Sequence, residues 1–234
     1  MKSPGEEIGR LCPYPDYDTG IGLLEGLLPG DLAEYRFGLS LLRRLDDAVI
    51  DRVVDGPTAE YLELYHGVNR ELNEKVAGIA ELLKGAGIDA LPVKATLDEQ
   101  DLDREFSRTL RCRVSHKMVA TRAGLGWIGK TDLLVSRRFG PRVRLASVLL
   151  ADAFDEPAIP ITGSRCGACR ICVDACPARA ATGDLWKVGV DRDTFYDAFK
   201  CMGFCRKISQ QRIGGQATIC GICVARCPLG AGRV

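Results

Sequence analysis

Apolar residues recur every three or four positions at Tyr61, Leu64, Val68, Leu72, Val76, Ile79 and Leu83, with charged residues between them. That spacing predicts one amphipathic helix across 57–87, with Pro57 near its start and Gly85 or Gly87 at its end. His66 on it reads as a surface or packed imidazole rather than a ligand. Upstream, EYRFGLSLLRRL is short and apolar enough for a strand, and DDAVIDRVVDG follows at helical spacing until Gly56-Pro57 stops it. The first thirty residues, with GIGLLEGLLPG, are rich in glycine and proline and predict irregular structure.

Beyond the long helix, IDALPVKA predicts a strand, DLDREFSRTLRCR a charged connection, and SHKMVATRAG a short helix with Ser115 as its N-cap. TDLLVS and RVRLASVLL predict two more strands, separated by Arg137-Arg138-Phe139-Gly140-Pro141. The acidic, proline-bearing ADAFDEPAIPITGS then marks a break near residue 158. Residues 1–158 are thus expected to form a mixed α/β core that holds a cofactor, and residues 159–234 a loop-rich cysteine module.

Although 46% of the residues are hydrophobic, no uninterrupted apolar run reaches the roughly 18 residues of a membrane-crossing helix. The amino-terminal MKSPGEEIGR lacks the apolar core of a signal peptide. Both features predict a cytosolic protein without a membrane partner. In such a reducing compartment the 11 cysteines argue for metal binding over disulfides. Charge is uneven as well: 11 Lys/Arg stand against 5 Asp/Glu from Pro160 onward, +6 there and −5 before it for a net +1. The basic end either offsets ligated thiolates or steers an acidic electron carrier or a nucleic-acid backbone.

Nine cysteines fall between Cys166 and Cys227. CGACRICVDACP carries C-x2-C-x2-C-x3-C-P, the run of two-cluster ferredoxins in which the last cysteine ligates the other cluster. CGICVARCP supplies Cys220, Cys223 and Cys227, one thiolate short of a set, and KCMGFC supplies Cys201 and Cys205. By that logic one 4Fe-4S cluster takes Cys166, Cys169, Cys172 and Cys227, and a second takes Cys176, Cys201, Cys220 and Cys223. Cys205 is either a spare thiol or the ligand in place of Cys201. Zinc sites favour two separated pairs, so compact triples followed by Cys-Pro suit zinc poorly. Cys12 and Cys112 read as ordinary buried thiols.

GLGWIGKT, Gly124 to Thr131, satisfies the P-loop pattern G-x4-G-K-[ST]. A P-loop follows a strand and opens a helix, whereas here a helix precedes and a strand follows, so NTP hydrolysis is not expected. Glycines at 124, 126 and 129 around Trp127 let backbone approach a large flat cofactor, or else form a tight helix-to-strand connection with Trp127 in the core.

AGLGWIGKTDLLVS, CGACRICVDACP, KCMGF and CGICVARCP together resemble the epoxyqueuosine reductase group, across roughly residues 107–229. That group shares its organisation of a corrinoid plus two 4Fe-4S clusters with reductive dehalogenases. The resemblance implies an α/β core of the flavin-reductase and cobalamin-processing kind with a C-terminal two-cluster ferredoxin-like module. It implies an oxidoreductase in which the clusters reduce cobalamin, which in turn reduces an epoxide on queuosine-modified tRNA. Gly124, Leu125, Gly126, Trp127, Ile128, Gly129 and Lys130 would then lie by the corrinoid.

The departures matter too. The group carries a catalytic Asp about a dozen residues before AGLGW, commonly followed by Ser-Ala-Pro, and this chain has Leu110-Arg111-Cys112-Arg113 there. Epoxide reduction needs a proton donor, and Leu110 is none. In its place His116 could donate a proton or contact a corrinoid, or be a satisfied neighbour of the N-cap. Lys117 could hold a phosphate or propionamide oxygen. Asp98, Glu99, Asp101 and Asp103 could supply a carboxylate but read better as a solvated face. The chain is shorter than those enzymes and ends soon after Cys227, without the extension that helps bind tRNA. The expected partner is therefore a redox protein, either a ferredoxin- or flavodoxin-like donor or a corrinoid protein, with tRNA less favoured. Three functions remain: a cobalamin-linked iron–sulfur reductase, an electron-transfer protein serving a partner's cofactor, and a docking scaffold without substrate chemistry.

Overall fold

The computed structural model describes residues 3–97, 102–215 and 217–230. Asp98, Glu99 and Asp101 lie outside the described residues. The chain divides into two compact units, the first made of Met1–Arg44, Val68–Gly126 and Arg144–Ile161, the second of Leu45–Gly67, Trp127–Val143 and Thr162–Val234.

In the first unit, strands β1 (Tyr17–Leu23), β2 (Phe37–Arg44), β3 (Ala90–Val93) and β6 (Val143–Leu150) form one sheet in the order β1-β2-β6-β3. β1 and β2 pair antiparallel with Ile21 opposite Leu39, and β3 pairs antiparallel with β6 with Ala90 opposite Leu150. The long helix α3 (Ala59–Gly85) buries the stripe expected of it, with Val68, Leu72, Val76, Ile79 and Leu83 all sequestered. Each such side chain contributes about 1.5–3 kcal/mol on burial. α5 (His116–Arg122) starts at Ser115, whose hydroxyl accepts from Met118 N, and packs across β1 and β2. Val114, Val119, Leu24 and Leu149 close a core against it.

The amino-terminal thirty residues are more regular than their glycines and prolines suggest. Helix α1 (Pro4–Leu11) is held by a capping box, Ser3 Oγ accepting from Glu6 N while Glu6 accepts from Ser3 N; Pro4 at N1 needs no partner for its nitrogen. Gly20 and Gly22 are strand residues, not turn residues: a Cβ on Gly22 would lie 2.5 Å from the carbonyl carbon of Arg122, and one on Gly20 2.8 Å from Ala123 O. β1 therefore lies directly against the end of α5. The charged stretch after 101 likewise holds a short helix, α4 (Arg104–Thr109), capped by Asp103, which accepts from Phe106 N.

The second unit has little sheet. β4 (Gly126–Ile128) and β5 (Leu134–Ser136) form a two-stranded piece. α2 (Asp47–Ile50) continues into a 3-10 turn at Asp51–Val53, so the helix expected over 46–56 is shorter and tighter. Arg142 ties the segments at 45–67 and 127–143 to each other within this unit. Its guanidinium is 2% exposed, paired at 2.9 Å with Asp47 and at 2.7 Å with Asp51. Arg226 reaches Val54 O and Asp55, and Arg212 Nε donates to Pro57 O. Only the Arg142 guanidinium is buried, so its pairing is the costly one to break, whereas the exposed Arg226 contacts contribute about 1 kcal/mol or less.

Two short helices, α6 (Ile171–Asp174) and α8 (Ile222–Arg226), pack on each other. Each sits in the same local sequence, C-x-I-C-V-x-x-C-P, at Cys169–Pro177 and Cys220–Pro228. The position equivalent to Cys166 in the second copy is Ala217. Helix α7 (Ala198–Ile213), capped by Asp197, carries Cys201 and Cys205 instead.

Candidate metal centre

All 11 cysteines are free thiols. The structure brings the nine of the second unit together across long sequence separations. Burial pushes Cys227 up to about 11, and the thiols of Cys172, Cys166 and Cys169 push the same way, so these four share one neighbourhood. Cys223 is driven up by burial and by Cys220, Cys201, Cys172 and Cys176. Like charges that raise one another's pKa must lie close. Cys172 and Cys176 thus both keep company with Cys223, and Cys227 with Cys166, Cys169 and Cys172.

Cys201 and Cys205, one turn apart on α7, lie 3.8 Å apart at their sulfurs. Cys201 is held below the ordinary thiol range chiefly by a hydrogen bond from Cys205, helped by one from Tyr196, while burial opposes. Cys220 is lowered by the same Cys205 donor. Cys205 itself, bonded to both and buried, is raised. Cys205 thus lies within hydrogen-bonding reach of both Cys201 and Cys220.

Among the described residues, no three His, Cys, Asp or Glu side chains close on one point as a single-ion site requires. The donor set is eight or nine soft sulfurs, which suit iron–sulfur clusters. Two further observations fit clusters. Trp127 Nε1 donates to Cys166 Sγ over 3.4 Å, and the hydroxyl of Thr131 bonds Cys172, whose thiol is nevertheless raised by burial and by Cys166.

The GLGWIGKT stretch forms no phosphate loop. β4 occupies its middle, Gly129 N donates to Leu133 O, and β5 follows without a helix. Residues Leu125 to Lys130 are all buried beneath protein atoms. Gly124 has φ +67°, and a Cβ there would meet Ile159 O at 3.0 Å. Of the seven residues expected beside a corrinoid, Gly124 is half-buried and the other six are buried.

The first unit holds a cavity of about 510 Å³, lined by apolar side chains such as Leu91, Val93 and Phe106, with Lys94, Arg111 and Arg113 among the polar ones. His116 borders it, but both ring nitrogens are engaged: Nδ1 lies 2.9 Å from Ser147 Oγ and Nε2 2.8 Å from Lys94 O. Nε2 donates to the carbonyl, so Nδ1 accepts from the serine and the ring is neutral. Burial lowers it to about 4, against the bond to Lys94. Lys117, its neighbour on α5, does not line the cavity. Asp103 does, with Oδ1 committed to capping α4. Leu110 stands at the end of α4 in a left-handed conformation, φ +52°.

Residues 165–230 match the family model described as a 4Fe-4S double cluster binding domain. Over 176 residues the chain is 30% identical to the epoxyqueuosine reductase of Bacillus subtilis (strain 168), covering 72% of this chain and 39% of that protein. The chain spans less than two thirds of the curated relatives it matches. A crystal structure of epoxyqueuosine reductase with an epoxyqueuosine-modified tRNA-Tyr stem loop aligns with 98% of this chain and 65% of that one, at 20% identity and a TM-score of 0.61. A catabolic reductive dehalogenase aligns with 93% of this chain and 30% of its own, at 18% identity and a TM-score of 0.63. Sequence and fold alike resemble the epoxyqueuosine reductases, and the fold is shared with the dehalogenases. No helix among the described residues is long and apolar enough to cross a membrane.

Proposed function

We propose that the protein is a cytosolic iron–sulfur oxidoreductase whose eight cysteines hold two 4Fe-4S clusters, Cys166, Cys169, Cys172 and Cys227 on one, Cys176, Cys201, Cys220 and Cys223 on the other. The observation that carries this is the company kept by Cys227 and Cys223: each meets thiols from the opposite run. Bound clusters supply one-electron storage. The protein's part is to supply thiolates, to shield them from water, and to donate to their sulfurs from Trp127, Thr131, Tyr196 and Cys205.

The electrons go to an acceptor bound by the first unit, either a substrate or a cobalamin-like cofactor. Residues 125–130 are buried, so a corrinoid seated directly on them is the less favoured acceptor site. The 510 Å³ cavity is of the size that takes small molecules, and its apolar walls with cationic side chains suit an apolar body carrying an anionic or amide group.

A second reading, electron transfer to the cofactor of a partner, is favoured by the proton donors of that cavity. His116 has no nitrogen to spare and Asp103 is a cap. The charge of +6 from residue 160 onward would steer an acidic redox partner better than it would select a tRNA.

Anaerobic purification with metal analysis tests the reading. About eight irons per chain are expected of two cubane clusters; zinc, or about four irons, would sink it. Titration with cobalamin then separates the two acceptors. A spectral change abolished by Leu91→Trp, which fills the cavity, supports an acceptor in the first unit, and no change supports transfer to a partner.

A further inference from the structure

GLGWIGKT remains a conspicuous motif that neither phosphate binding nor a corrinoid face accounts for. Its second half turns toward the cysteines. Trp127 donates to Cys166 Sγ and Thr131 to Cys172. Gly129 lies between them, and a Cβ there would sit 2.9 Å from Val135 Cγ2 and 3.8 Å from Cys166 Sγ. The chain thus passes within van der Waals reach of the sulfur. Lys130 itself is 4% exposed.

We propose that Trp127 and Thr131 form a hydrogen-bonding cap that raises the reduction potential of the cluster held by Cys166, Cys169, Cys172 and Cys227. The proposal rests on the two-cluster reading above. Reduction adds one electron, hence one negative charge, to the cluster and its sulfurs. An indole N–H and a hydroxyl bonded to those sulfurs stabilise the added charge more than the oxidised state, and hydrogen bonds to sulfur are among the protein's levers on potential. Arg165, 5.9 Å above the Trp127 ring, holds the indole by a cation–π contact. These are positioning and tuning residues that leave the ligand set unchanged.

The test is a redox titration followed by EPR on full-length, anaerobically purified protein after iron analysis. Trp127→Phe removes the donor and keeps the ring. It should retain about eight irons while one potential falls, so that the ratio of reduced to oxidised cluster at fixed potential drops roughly tenfold, or 59 mV for a one-electron couple. Thr131→Val should move the same signal the same way, and Trp186→Phe should move neither. In a Cys220→Ala background, which removes the other cluster, the shift should persist. Unchanged potentials with iron retained would overturn the cap, as would a shift in the cluster that Cys220→Ala abolishes. If Trp127→Phe loses iron, Thr131→Val decides by the same outcomes. Wild-type protein with about four irons or none would overturn the two-cluster reading first, and the cap with it.

Discussion

The sulfurs of Cys201 and Cys205, one helical turn apart on α7, lie 3.8 Å apart, and either can donate to the other. Metals bind thiolates, and of the two Cys201 is held below the ordinary thiol range, so it is the expected ligand and Cys205 its expected support. Cys201→Ala should lower iron from about eight to about four per chain, whereas Cys205→Ala should keep about eight. Iron analysis on the two variants checks this. Retention of iron by Cys201→Ala with its loss in Cys205→Ala would reverse the assignment.

Cys176→Ala should extinguish the cluster that also needs Cys201, Cys220 and Cys223, leaving the signal of the other intact. Cys227→Ala should do the opposite. EPR of the reduced variants, compared with Cys220→Ala, tells which signal each one loses. If Cys176→Ala and Cys220→Ala lost different signals, the run from Cys166 to Cys176 would be a self-contained site after all.

His116 is neutral in the folded chain, held at about 4, and titrates near 6.5 when unfolded. Protons bind the unfolded state more strongly between those values. Its contribution to stability is therefore complete above about pH 6.5 and is lost as pH falls through about 4, by up to roughly tenfold in the unfolding equilibrium per pH unit. Hydrogen exchange at the α5 amides, corrected for intrinsic rates, should show protection falling from pH 7 to pH 5. His116→Gln, which can keep both hydrogen bonds without a charge to gain, should flatten the decline. An equally steep decline in that variant would assign it to other groups.

Two glycines should answer to alanine with opposite signs. Gly22→Ala would drive a Cβ to 2.5 Å from the backbone of Arg122, and overpacking of this kind costs about 1–3 kcal/mol. Gly78 lies in α3 with nothing within 4 Å of its would-be Cβ, and alanine there should add about 0.5–1 kcal/mol. Guanidinium unfolding of the anaerobic protein, followed by far-UV circular dichroism, gives both.

How far the fold can be read in advance depends on whether a signal is local. The stripe from Tyr61 to Leu83 is local, and α3 follows it; Ser115 likewise caps α5. Ser3-x-x-Glu6 is an equally local helix start, obscured by the glycine and proline around it. Gly20 and Gly22 could not be read from their surroundings, because what demands a bare Cα there is the backbone at Arg122 and Ala123, a hundred residues on. Trp127 is the same kind of case. Its motif is legible as text, but its partner is the sulfur of Cys166. His116 is conspicuous in sequence, yet only Ser147 and Lys94 decide that its nitrogens are occupied.

The interleaving of the two cysteine runs also bears on when metal can enter. On a growing chain Cys166, Cys169, Cys172 and Cys176 leave the ribosome together, four thiols that on the proposed assignment belong to two different clusters. Cys227, which meets the first three of them, is made some fifty residues later. Cys223, which meets Cys172 and Cys176, is made only shortly before it. The proposed assignment thus requires loading to wait until residue 227 has been made, and a chain halted between 176 and 220 would carry four thiols with neither set complete.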